Sequence, residues 1–171
     1  MFDRLIDTLL QFIELFKFWA VLQPYEAAVR TRLGKFKDVL EPGFHWIYPL
    51  GIDHVVTEHT VPRTHHLGAQ SATTVDGVAI GFVAVITVKV RDVKTALLEV
   101  EHSEDAVIDS CSGTIGQVLS TVTWADILGG EAVLDKITAA CRKKGFKFGL
   151  EVMAVQFSSM AKTRSIRLLQ N

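Results

Sequence analysis

Between Gly77 and Arg91 the apolar residues fall on every second position: Val78, Ile80, Phe82, Ala84, Ile86, Val88 and Val90. Seven residues in step define an extended strand with that face buried, because a 3.6-residue helical period would scatter them around the axis. The opposite face, Ala79, Gly81, Val83, Val85 and Thr87, is half apolar. Such a strand belongs in the middle of an antiparallel sheet, covered at least in part on both sides. The turn residues Thr74-Val75-Asp76-Gly77 lead into it and predict pairing with the preceding strand.

Upstream, Tyr25 to Leu33 alternates as well. Ala27, Val29, Thr31 and Leu33 share one face, and Glu26, Ala28, Arg30 and Arg32 the other. Further strands are predicted at Asp53 to Val61 and around Arg63 to Ala69. Between them, Val39 to Leu50 is aromatic and bounded by proline, with a turn at Pro42-Gly43. Phe44, Trp46, Ile47 and Tyr48 are too apolar for an ordinary exposed loop. They either plug a core or face a membrane, where Trp and Tyr favour the interface.

After Arg91 the period becomes helical. Val93 to Val100 predicts a short helix. A longer one opens at a Ser103 cap, with Glu104 and Asp105 in its first turn. Its apolar face is Val107, Ile108, Cys111, Ile115, Val118 and Leu119. Thr123 caps a turn over Trp124 to Leu128, and Gly129-Gly130 breaks the chain. A helix from Glu131 to Lys144 stops at Gly145. Phe148 to Phe157 alternates again and predicts a late strand, and Ser158 to Asn171 a last helix.

Met1 to Leu22 is crowded with large apolar side chains, but Asp3, Arg4, Asp7, Glu14 and Lys17 interrupt it. Those charges rule against a conventional spanning helix. A basic leader and a small-x-small cleavage site are also missing, which argues against a secretory signal. The polar residues recur at steps of three and four, so the segment reads as an amphipathic helix. It lies in the plane of a membrane surface or packs on protein. Its side chains sum to a charge of -1, so attraction to anionic lipid is weak. The candidate lipid contacts are Phe2, Leu5, Ile6, Leu9, Phe12, Ile13, Phe16 and Trp19, joined by Phe44, Trp46 and Tyr48 of the aromatic stretch.

Charge matters here through its distribution. The chain of 171 residues has a net charge of -1. Residues 92–135 carry nine acids and one base, and residues 136–171 eight bases and one acid. Patches of opposite sign can meet within one molecule or between neighbours. Cys111 and Cys141 both lie in amphipathic helical patterns and read as small core residues in a reducing compartment.

Chemistry-bearing patterns are weak. His59, His65 and His66 are close in sequence, but neighbours on a strand point to opposite faces. Ser110-Cys111-Ser112-Gly113 lacks the leading glycine of a nucleophile elbow, and no phosphate-cradling loop is found. The sequence pI near 6.6 argues against nucleic acid as a partner. The reading is of a non-enzyme with neither cofactor nor metal.

Four stretches, in order, resemble the stomatin/prohibitin/flotillin superfamily, the SPFH or Band 7 domain. They are Val29 to Phe36, Leu40 to Pro49, Thr74 to Ile80 followed by Val88 to Asp92, and Ile115 to Thr121 with Trp124 to Leu128. Two departures are Gly116, where the family often has Arg, and Gly129-Gly130, where it has a charged pair. Relatives also continue into a long coiled coil beyond the point where this sequence stops at Asn171. The resemblance implies an α+β fold: an amphipathic helix over 1–22, an antiparallel β-rich lobe over 23–92, and a second lobe of helices with a late strand over 93–171.

It also implies a membrane-associated scaffold, and the missing export signal puts the bulk of the chain on the cytoplasmic face. Such a scaffold forms homo-oligomeric rings or cages, organises membrane patches, and modulates a membrane protease or channel. The acidic patch (Glu101, Glu104, Asp105) would then meet the basic one (Arg142, Lys143, Lys144) of the next subunit, a heterologous contact that propagates. The competing reading is a soluble module whose N-terminal helix docks on a partner protein.

Overall fold

The structure is a computed structural model and describes residues 18–163. The helix expected over 1–22 falls outside that range except at its end, as does the last helix beyond residue 163. The observed fold is α+β, with antiparallel sheets and packed helices.

The alternating stretch forms β8 (Ala79–Val90), with Ile80, Phe82, Ala84, Ile86, Val88 and Val90 all buried. It is the central strand. β6 (Arg63–His66) and β7 (Gln70–Thr73) pair with it in succession. β9 (Leu150–Lys162) pairs antiparallel with it from Ile80 to Val90. The turn before β8 is the expected one: Thr74 Oγ1 donates to Asp76 and accepts from the Val78 amide at 3.2 Å.

Helices cover the buried face of β8. α1 (Thr95–Glu99) is one π-helical turn. α2 (Ser103–Leu119), α3 (Trp124–Leu128) and α4 (Glu131–Gly145) follow. Val107, Cys111, Ile115 and Leu119 of α2 and Val133, Ile137 and Cys141 of α4 join β8 in one apolar core. At a few kcal/mol for each large buried side chain, this cluster is the chief source of stability. Thr123 and Asp126 form a capping box at α3.

A second, smaller core holds Leu22, Ala28 and Leu40, with Val55 against it. It lies within the sheet β3 (Lys35–Leu40), β2 (Glu26–Arg32) and β5 (Asp53–His59), joined by the two-stranded ribbon of β1 (Trp19–Leu22) and β4 (Gly43–Trp46).

Four expectations need correction. Trp19 to Leu22 are extended, because pairing with β4 satisfies their backbone where a lone helix end could not. Ser158 to Lys162 continue β9, held by the long β8 ladder. Ser103 is the first residue of α2 and not its cap; His102, in the left-handed region at φ 51°, precedes it. Gly145 ends α4 but the chain turns on through a 3-10 turn (Phe146–Phe148). Gly149, at φ 75°, makes the left-handed stop.

Candidate membrane-contact site

The ribbon β1–β4 sets Trp19 opposite Trp46 and Val21 opposite Phe44. Directly opposed residues of an antiparallel pair point to the same side, so these four form one face. The alternate residue Leu22 points inward and is buried on the small core. The outer face is bare: Trp46 is 70% exposed and Phe44 55%. Phe18, Tyr48 and Leu50 extend the exposed apolar surface. Phe44 and Trp46 meet edge to face, with ring centroids 5.4 Å apart. The aromatic stretch therefore does not plug a core. A contiguous exposed apolar patch marks an interaction surface.

Two arginines of β2 hold this patch in place. Arg30 pairs with Asp38 and donates from Nη1 to the Trp46 carbonyl at 3.0 Å. Arg32 pairs with Asp53 through Nε at 2.6 Å and Nη2 at 3.0 Å. Asp53 Oδ2 also accepts from the Tyr48 amide at 3.0 Å. The Arg32 guanidinium lies over the Tyr48 ring, 4.3 Å from its centroid. The Arg32 hydrogen bonds, against the cost of burial and with help from the Tyr48 amide, hold the Asp53 carboxyl down to about 2. Trp46 and Tyr48 are thus each tied to an ion pair of the three-stranded sheet, Trp46 to one between β2 and β3 and Tyr48 to one between β2 and β5.

Sequence reading singled out the aromatics but not their anchors. The signal was present in the alternation of Arg30 and Arg32 on one face of a strand, a costly arrangement unless acids meet them. Phe2 to Phe16 lie outside the described residues.

The residues expected at the charge-patch contact are partly engaged at home. Glu104 pairs with Arg63, which also pairs with Glu58. His65 Nε2 lies 3.4 Å from the other Glu104 oxygen. Arg142 donates to the carbonyls of Val152 at 3.0 Å and Met153 at 3.2 Å. Glu101, Asp105, Lys143 and Lys144 are not held this way. Among the described residues, no three His, Cys, Asp or Glu are grouped to hold a metal, and no helix is long and apolar enough to cross a membrane.

The model of the SPFH domain / Band 7 family matches residues 20–162, which takes in every strand and helix described except Trp19. The chain belongs to this family. SPFH proteins are typically membrane-associated scaffolds and generally non-enzymatic. Among relatives, stomatin-1 of Caenorhabditis elegans is 31% identical over 125 residues, covering 70% of this chain and 35% of that protein. An uncharacterized protein of Methanocaldococcus jannaschii is 25% identical, covering 86% of this chain and 74% of its own length. One from Schizosaccharomyces pombe is 25% identical, over 96% of this chain and 44% of its own. This SPFH chain thus spans less than half the length of two of these three relatives.

Proposed function

We propose that this SPFH protein is a non-enzymatic membrane scaffold. It associates with copies of itself and organises membrane patches or modulates membrane proteins such as a protease or channel. The observation that carries the reading is the exposed face Trp19, Val21, Phe44 and Trp46, backed by a buried Leu22 and anchored by Arg30 and Arg32. Tryptophan and tyrosine at such a face suit the headgroup boundary, where a ring is half in apolar surroundings and its polar atom stays wet. The apolar residues of 1–16 would add to the same contact.

One such face is a modest anchor. A large side chain contributes about 1.5–3 kcal/mol only when fully removed from water, and these stay part wet. Many copies in one assembly would hold firmly by avidity. Flotation of the full chain with zwitterionic liposomes tests the reading. Wild type is expected in the floating fraction, and the pair Phe44→Ser with Trp46→Ser in the soluble one. Wild type that stays soluble would point instead to a partner protein as the occupant of the aromatic face.

A further inference from the structure

Beside the end of β8 lies a cleft of about 620 Å³, lined by Val39 of β3, by Arg91, Asp92 and Val93, and by Phe146 and Gly149. Its walls include two large apolar side chains, Val39 and Phe146, that are exposed. Arg91 lies over the Phe146 ring, 4.6 Å from the centroid. Lys94 lies over Phe36 at 5.3 Å.

Lys94 pairs with Glu99 at 3.1 Å, so the available cation of the cleft is Arg91. Asp92 turns its carboxylate into its own turn: Oδ1 accepts from the amides of Lys94 at 3.1 Å and Thr95 at 3.3 Å, and Oδ2 from the Thr95 hydroxyl at 3.0 Å. Arg91 makes no ion pair among the described residues. A guanidinium stacked on a ring is oriented in advance for a carboxylate and less hydrated than an ammonium. The cleft therefore suits an acidic segment that also carries an apolar side chain.

The chain presents such a segment. Leu98 is an exposed leucine at the end of α1. The Glu101 side chain is 93% exposed and, among the described residues, has only its neighbour His102, at 3.8 Å, within ion-pair reach. Left-handed His102 marks the turn there. Glu104, by contrast, is already held by Arg63.

We propose that the cleft receives the Leu98 to Glu101 corner of a second copy of this chain. Leu98 seats on Val39 and Phe146, and Glu101 pairs with Arg91. The inference rests on the self-association reading above and names its surfaces. It moves the basic half of the contact from Arg142, which is occupied by β9 carbonyls, to Arg91. Each copy carries one cleft and one corner; engaged one way, the contact is heterologous and extends into a ring or array, and engaged reciprocally it closes a two-fold dimer.

Charge exchange tests it, by sedimentation velocity of the full chain in mild detergent. Arg91→Glu and Glu101→Arg are each expected to weaken association about tenfold or more, and their combination to restore most of it, because each reversal supplies the other's partner. Leu98→Ser is expected to weaken association without changing any charge. Arg91→Gln serves as a gentler variant should the reversal disturb folding, with thermal melting as the check. If the variants associate like wild type, or the double variant does no better than either single, this contact is wrong while self-association stands. A wild type that stays monomeric in detergent and on liposomes overturns both.

Discussion

Arg32 grips Asp53 through two hydrogen bonds, at 2.6 and 3.0 Å, and the Asp53 side chain has no exposure to solvent. The carboxyl lies near 2, below its ordinary 3.8. A depressed carboxyl adds stability that is fully present above its unfolded value and is lost as pH falls through the folded one. With allowance for solvent screening at the part-exposed guanidinium, the contribution is about 1–2 kcal/mol. Wild type should therefore lose stability between about pH 4 and pH 2. Asp53→Asn should cost about 1–3 kcal/mol at neutral pH and flatten that part of the profile. Urea titrations across this range check both. Equal acid sensitivity in wild type and variant would contradict the assignment.

Arg30 reaches the same patch by its bond to the Trp46 carbonyl. Arg30→Met should loosen β4 without removing a single aromatic ring. Hydrogen exchange at Phe44 to Ile47 should rise, and liposome binding should weaken about 2–5-fold, the value of one net hydrogen bond. A variant with faster exchange but unchanged flotation would separate the anchor from lipid contact.

At α3, Thr123 Oγ1 accepts from the Asp126 amide, and the Asp126 carboxylate accepts from the Thr123 amide at 3.0 Å. Thr123→Ala should cost about 1 kcal/mol, the usual value of a lost N-cap. Thermal unfolding monitored by circular dichroism measures it.

Gly149 sits where β9 begins, and the Arg91 and Asp92 amides both donate to its carbonyl, at 3.0 and 2.9 Å. A β-carbon there would lie 2.6 Å from the Asp92 oxygen and 2.7 Å from the Ala96 nitrogen, at φ 75°. Left-handed backbone alone costs about 1–2 kcal/mol for an L residue, and the overlap adds to it. Gly149→Ala should thus lose more than about 2 kcal/mol of stability. A neutral substitution would show that the turn can open freely.

Cys111 and Cys141 are both fully buried, on α2 and α4. The hydrogen bond with Cys111, together with burial, pushes the Cys141 thiol far above its ordinary range. The thiolate is the reactive form and the contact with Cys141 lowers the Cys111 thiol, but burial of both keeps reagent out, so neither should react with an aromatic disulfide reagent in the folded protein, and both should react in denaturant. Rapid labelling of the native chain would show that the helices separate.

The two reading periods, 2 and 3.6, were legible because they follow from where each backbone places its side chains. Val78 to Val90 could be nothing but a buried strand, and Val107, Cys111, Ile115 and Leu119 fell inside as their spacing required. The Thr123 cap was legible because it joins residues three apart. Trp19 to Leu22 was not: its apolar run suits a helix as well as a strand, and its partners, Gly43 to Trp46, lie in a distant strand, β4. Ser158 to Lys162 became strand for the same reason, through pairing with Ile80 to Val83.

By itself, then, the sequence determined which segments alternate or coil, which faces are apolar, and that the aromatics of 44–48 needed an explanation. Only the tertiary structure decided that Trp46 faces water while Leu22 faces the core, that Arg30 and Arg32 anchor the aromatic segment, and that Arg142 is engaged while Arg91 has no ion pair among the described residues. Local period is a property of the chain and can be read along it. Exposure and pairing depend on contacts between distant segments, and those exist only once the chain has folded.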